Sequence, residues 1–283
     1  MSIGHVEPDT TQPPVGIPGT PPAGPPGWLI VALSVVYLVA LCALAFLPGA
    51  TLLERLRALD GGICAQNPTH SFFPGGQQLP LCSRNTGIYI GFAVTFLTLL
   101  ATGRVRASRF PGKWVLVVLG LAVLLMAEDG FNSFFLDLGL PHLYQPHNLL
   151  RLFTGLGTGV AMCSVLLPVT NALIWRDEDE RAPFATLGQL ALMLPVLLIL
   201  FLAVGSQLAP LLYPVAILSS FGLVLALSLV NLVFLLSVSR RATTFTSWRQ
   251  VFPRYTIALV LTIIELVALF ALKTYLLQTL VIR

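Results

Sequence analysis

The chain has 283 residues, of which 56% are hydrophobic and only 10% charged, with a formal net charge of +4 at pH 7. Soluble domains carry about 25% charged residues, so this composition, with a mean hydropathy of +0.86 and recurrent apolar runs of membrane-spanning length, excludes an ordinary soluble protein. The basic residues lie in short loops with no Lys/Arg-rich run or helix face, which excludes nucleic acid as a partner and makes the charge an orientation signal.

Residues 1–27 are rich in Pro, Gly and Thr and contain no Lys or Arg, so they are expected to form a disordered tail. No basic segment precedes Trp28, and the first apolar run, Trp28–Leu47, is expected to be a retained span rather than a cleaved signal. Pro48-Gly49 ends it. Thr51–Leu59 reads as a short amphipathic helix with Leu52, Leu53, Leu56 and Leu59 on one face. An irregular loop from Cys64 leads into the second span, Thr86–Ala101. Arg104, Arg106, Arg109 and Lys113 form a basic loop before the third span, Trp114–Phe135. Gly139–Asn148 is a loop carrying His142 and His147, followed by the fourth span, Leu149–Trp175. The mixed-charge loop Arg176–Arg181 precedes the fifth span, Phe184–Val204. The sixth runs from near Pro214 to about Ser237, and a second basic loop holds Arg240, Arg241, Arg249 and Arg254. Tyr255–Leu277 is the seventh span.

The fold class expected is therefore all-α: one polytopic membrane domain over 28–283 with about seven transmembrane helices. Placing the Arg104–Lys113 loop in the cytoplasm puts both other charged loops there after strict alternation, with the N-terminus cytoplasmic and the C-terminus outside. The Cys64–Arg84 loop, Asp129, the two histidines and Arg151 then gather at the outer face. Gly87/Gly91 and Gly155/Gly159 are each spaced four apart, which predicts close packing of spans two and four.

Several groups could carry chemistry. Cys64, Cys82 and His70 supply three of the about four Cys/His ligands of a structural zinc site; the alternative is a Cys64–Cys82 disulfide pinning an outer loop. Arg84, Asn85, Asp129, Asn132, His147, Asn148 and Arg151 form a candidate ligand- or partner-binding set. Asp129 and Arg151 fall at similar depth and are expected either to pair, fixing span three against span four, or to floor a polar site. Arg84 would be carried towards Arg151, and two arginines brought together need Asp129, Glu128 or a bound anion. Glu265 lies near the middle of the seventh span. It is either a proton-transfer group or a protonated acid hydrogen-bonded to Ser, Thr or Asn231 of another helix. No phosphate-binding loop, zinc-protease, nucleophile-elbow or heme-attachment motif is present, and no motif names a cofactor.

Two blocks carry a family resemblance. The first runs Cys64-Ala65-Gln66-Asn67-Pro68-Thr69-His70-Ser71, then Pro80-Leu81-Cys82-Ser83-Arg84-Asn85-Thr86-Gly87-Ile88-Tyr89-Ile90-Gly91. The second is Asp129-Gly130, then Asn148-Leu149-Leu150-Arg151-Leu152-Phe153-Thr154-Gly155. Together they resemble a family of prokaryotic membrane proteins known only as a domain of unknown function, with blocks C-H-Q-x-P-x-R-S, P-x-C-x-R-C-x-G-I-Y-x-G, D-G and N-x-x-R-x-x-T-G. The resemblance covers about residues 63–159 and leaves the helices of 184–283 outside it. The family's His and final Cys are Ala65 and Asn85 here, which favours the disulfide over a metal site. The resemblance implies a prokaryotic plasma-membrane location and no assigned activity. The reading is a non-catalytic binding or assembly component that presents its outer Cys/Asp/Arg surface to a lipid or another membrane subunit. The rivals are an outer-leaflet enzyme acting on an anionic lipid or a thiol, and, more weakly, a transporter using Glu265.

Overall fold

The computed structural model describes residues 49–239 and 243–281. The expected tail, the first span Trp28–Leu47, Cys42, Arg240 and Arg241 lie outside these residues. Among the described residues the chain is all-helical, with two isolated bridges and no strand. The elements are α1 (Leu52–Asp60), α2 (Ser83–Ala101), α3 (Lys113–Asp137), α4 (Asn148–Ile174), α5 (Leu187–Ala191), α6 (Leu194–Gly205), α7 (Leu212–Val238) and α8 (Trp248–Val281). They provide six helical segments long and apolar enough to cross a membrane, matching the second to seventh expected spans. The fifth is broken in two, because Pro195 opens α6 and has no N–H to continue the ladder from α5.

The centre of the bundle is the crossing of α2 and α4, the most extensive helix contact among the described residues. Gly87 and Gly91 face Gly155 and Gly159 as their spacing predicts. A methyl group on Gly87 would lie 2.5 Å from the Leu152 carbonyl oxygen, and one on Gly155 would meet the Arg84 carbonyl. No residue larger than glycine lets the backbones approach so closely. Gly222 of α7 makes the same kind of approach to Tyr89, which an isolated glycine in the sequence does not announce. α3 and the α5–α6 pair turn most of their surface outward, as lipid-facing helices do.

The C-terminal helices are tied to the centre by polar bonds. In the α7–α8 contact, Asn231 Nδ2 donates to Glu265 Oε2 at 2.7 Å and to Thr262 Oγ1 at 2.9 Å. Glu265 therefore has an Asn231 partner on the neighbouring helix, the structural alternative weighed for it. Lys273 does not meet Glu265; its Nζ donates to the carbonyls of Gly61 (3.2 Å) and Cys64 (2.8 Å) and fastens the cysteine loop to α8. At the opposite face Asn171 Nδ2 donates to the carbonyls of Val105 (2.8 Å) and Ala107 (2.9 Å), and Arg106 lies 3.9 Å over the ring of Trp175. That face carries the Arg104–Arg109 loop and is called the basic face below.

α1 begins with a capping box between Thr51 and Glu54 and ends on Asp60, which is fully buried. Asp60 Oδ2 accepts from Ser220 Oγ at 2.7 Å, and Oδ1 has no partner. Burial pushes the Asp60 carboxyl up from 3.8 to about 7. The folded state thus keeps a proton that the unfolded chain releases above its ordinary value. The resulting stabilisation is complete below the unfolded pKa and is lost as pH rises to about 7. Asp60→Asn, isosteric and permanently neutral, is expected to melt higher than wild type at pH 8, with the difference gone by pH 4. Identical melting curves across that range would contradict the assignment.

Candidate functional site

The ends of α2, α3 and α4 that meet on the cysteine-loop face carry the polar cluster. Arg84 is the second residue of α2, Asp129 and Ser133 lie in the last turns of α3, and Arg151 is in the first turn of α4. Asp129 is fully buried, and its partner is Arg84: Arg84 Nη2 donates to Asp129 Oδ2 at 2.5 Å and to Ser133 Oγ at 3.3 Å. Arg151, 4% exposed, donates from Nη2 to the same Ser133 oxygen at 3.3 Å and from Nη1 to Asn148 Oδ1 at 2.8 Å. The two guanidiniums therefore come together as expected, bridged by one serine.

The expected Asp129–Arg151 pair is not what forms. Among the described residues Arg151 makes no ion pair, while Arg84 takes the carboxylate. The reason is azimuth. Asp129 and Arg151 share a depth, but the close α2–α4 crossing swings Arg84 across to the face of α3 on which Asp129 lies; Arg84 Nη1 is also the atom nearest to a methyl built on Gly130. Two cations, Arg151 buried and Arg84 half-buried, then stand beside one buried carboxylate, which Arg84 bonds, and Nε of each arginine has no partner.

The other residues of the expected set divide by role. Asn132 is a clamp: Oδ1 accepts the Leu143 N–H at 2.7 Å and Nδ2 donates to the Tyr144 carbonyl at 2.9 Å, folding the 138–147 loop over the end of α3. Asn148 Nδ2 donates to the carbonyls of Thr69 (3.3 Å) and Ser71 (3.2 Å), tying the cysteine loop to the start of α4. His147 caps α4, its Nδ1 accepting the Leu149 N–H at 3.2 Å. Asn85 lies with the thiols, where its side chain bonds Cys64. Residues the sequence reading missed are Ser133 and Tyr144, whose hydroxyl donates to Asp129 Oδ1 at 3.2 Å. Neither stands in a motif, and only the fold brings them to the arginines.

The cysteines correct the expectation of a disulfide. Cys64 and Cys82 are free thiols. Their sulfurs are held in a hydrogen-bonded arrangement: Cys64 Sγ accepts the Gln66 N–H at 3.4 Å and the Cys82 N–H at 3.2 Å. The Cys82 thiol and these N–H groups pull the Cys64 thiol down to about 6, and Cys82 is raised as its donor. Denatured without reductant, each is expected to take up one maleimide; a peptide pair that stays linked until reductant is added would contradict the free-thiol state. His70 does not join them. Its Nε2 lies 3.3 Å from Asp137 Oδ1, and burial and the Arg151 charge lower its pKa. Among the described residues no group of three or more His, Cys, Asp or Glu side chains is placed to hold a metal ion, so Cys64, His70 and Cys82 do not form the candidate trio.

Beside Arg151 a cavity of about 290 Å³ opens between the cysteine loop, the start of α4 and the end of α6, with Phe72, His147, Leu149, Gly205 and Gln207 among its walls.

Among the described residues, six apolar spans, three of which meet at a polar cluster, define a polytopic helical membrane protein. Residues 64–165 match a family described as predicted membrane proteins, DUF2085. An uncharacterized protein of Methanocaldococcus jannaschii is 31% identical over 121 residues, covering 43% of this chain and 72% of the relative. An uncharacterized protein of Methanothermobacter thermautotrophicus is 34% identical over 115 residues, covering 40% of this chain and 90% of the relative. The chain belongs to the DUF2085 family and is a multi-pass protein of the prokaryotic plasma membrane. The matched region holds both blocks of the polar cluster and ends within α4, leaving α5–α8 outside it. No solved structure matches the chain.

Proposed function

We propose that the protein is a non-catalytic binding or assembly component whose cysteine-loop face, placed outside the cytoplasm, receives the anionic group of a lipid or of another membrane subunit. The observation that carries this reading is Arg151: a guanidinium 4% exposed and bonded, among the described residues, to the neutral oxygens of Asn148 and Ser133. Asp129 beside it is bonded to Arg84, so the charge of Arg151 is incompletely compensated, and an incompletely compensated buried charge is destabilising. An incoming anion would supply that counter-charge. The Arg84–Asp129 pair beside it holds Ser133 in place between the two arginines.

The outer-leaflet enzyme remains a second reading because Cys64 carries an activated sulfur under backbone N–H donors. Its burial beneath the Lys273-bonded loop favours binding over turnover. The Asn231 and Thr262 bonds around Glu265 favour a structural acid over a transport group.

The test is native mass spectrometry of protein extracted in a neutral detergent. Wild type is expected to retain an anionic species, and Arg151→Gln to lose it while Arg84→Lys keeps it. Wild type that carries no anionic species and gains no thermal stability from anionic lipid or partner-containing membranes would overturn the reading.

A further inference from the structure

Two sulfurs meet under the cysteine loop with more donors around them than neutral thiols use. Cys64 Sγ accepts the Gln66 N–H at 3.4 Å and the Cys82 N–H at 3.2 Å, and it also takes a bond from the Asn85 side chain and one from the Cys82 thiol. A neutral thiol sulfur is a weak acceptor, so four donors on one sulfur fit a thiolate or a metal-bound sulfur. Neighbouring side chains hold this arrangement in place. Gln66 keeps a left-handed φ of 59°, and its own side chain fixes it there by donating to the carbonyls of Arg57 and Pro80, both at 2.8 Å. Cys82 is the N-cap of α2, whose free N–H groups favour a negatively charged ligand pair.

The surroundings favour a cation between the sulfurs. Tyr89 lies within electrostatic reach of Asp60, Cys64 and Cys82, and Asp60 within reach of Cys64, so four acidic groups crowd one region. Asp60 is fully buried, and its Oδ1 has no partner. Lys273 directs its ammonium to the carbonyls of Gly61, Cys64 and Ala65. Among the described residues no third His, Cys, Asp or Glu is placed with the two sulfurs to hold an ion. Zinc would lack half of its about four ligands, and hard cations would lack their six or more oxygens. A soft closed-shell monovalent ion is satisfied by two thiolates, one on each side. We infer that Cys64 and Cys82 form a two-coordinate site for a soft monovalent metal ion of the copper(I) class. The ion replaces the proton between the sulfurs: one cation enters the singly protonated pair, one proton leaves, and the net charge is unchanged. Cys82 is half-buried, and Cys64 lines an open cavity of about 390 Å³ beside α8, so the pair can be reached. The site is independent of the Arg151 reading.

The full-length protein in neutral detergent, kept reduced with ascorbate, is titrated against the copper(I)–bicinchoninate complex, whose colour fades as the ion is withdrawn. Wild type is expected to withdraw one copper(I) per chain, and excess zinc(II) to leave that ion in place. Cys64→Ser and Cys82→Ser are each expected to lose this binding, while Cys163→Ser, whose thiol is buried within α4, keeps it. X-ray absorption of copper-loaded wild type reads the ligands without any variant, and two sulfurs with no nitrogen or oxygen are expected. Wild type that withdraws no copper(I), or either variant of the pair that still takes one, would overturn the site. Three or four ligands in the absorption spectrum, or displacement of the ion by zinc(II), would overturn its two-coordinate, monovalent character.

Discussion

Gly159→Leu is expected to destabilise the bundle by about 3 kcal/mol, the upper part of the usual overpacking range. A methyl there would fall on the Ile88 carbonyl oxygen, 2.6 Å from the Phe92 nitrogen and 2.9 Å from the Gly91 Cα. All three belong to the backbone of α2, so no side chain can rotate away; the helices must separate. Separation would also pull Arg84 from Asp129, since the same crossing delivers α2 to the polar face. The control is Gly120→Leu on α3, where a Cβ meets nothing within 4 Å. Denaturation in mixed micelles checks the pair: Gly120→Leu should track wild type, and a Gly159→Leu variant as stable as Gly120→Leu would refute the packing account.

Arg84→Ala is expected to destabilise by about 3–5 kcal/mol, because it strands a fully buried carboxylate. Asp129 would keep only the Tyr144 hydroxyl, and Ser133 would lose one of its two donors. The losses at the two positions are expected to be non-additive. Adding Asp129→Asn in the Arg84→Ala background removes the stranded charge and should recover most of the loss, although Asp129→Asn alone is destabilising. Arg84→Lys should sit between, since a single ammonium cannot reach both Asp129 Oδ2 and Ser133 Oγ with the geometry of a guanidinium. Denaturation midpoints of the four variants close the cycle. Additive losses would mean that the carboxylate and Arg84 act independently, contrary to the 2.5 Å contact.

The six described spans were legible because each is a long apolar run, a signal that needs no tertiary information. The α2–α4 crossing was legible for a related reason: glycines four apart lie on one helix face whatever the rest of the fold does. The partner of Asp129 was not legible. Rise per residue gives depth along a helix, and depth alone made Asp129 and Arg151 neighbours; which arginine meets the acid depends on rotation about the helix axes, set by packing. The same gap hid Ser133, Tyr144 and the Asp60–Ser220 bond, whose residues are far apart in the chain and unremarkable locally. Asn132 and Asn148, polar near an apolar boundary, satisfy loop carbonyls and N–H groups, the need that any loop packed on a helix end creates. The disulfide was inferred from a presumed oxidising side rather than from sulfur geometry, and the geometry holds two hydrogen-bonded thiols.

An experimental structure of the protein purified from its own membrane, at a resolution that shows bound anions, tests the central claim most directly. Non-protein density is expected beside Arg151 on the cysteine-loop face, with Arg84 still on Asp129. Arg151 turned onto Glu128 or Asp137 in a closed, empty cavity would contradict it.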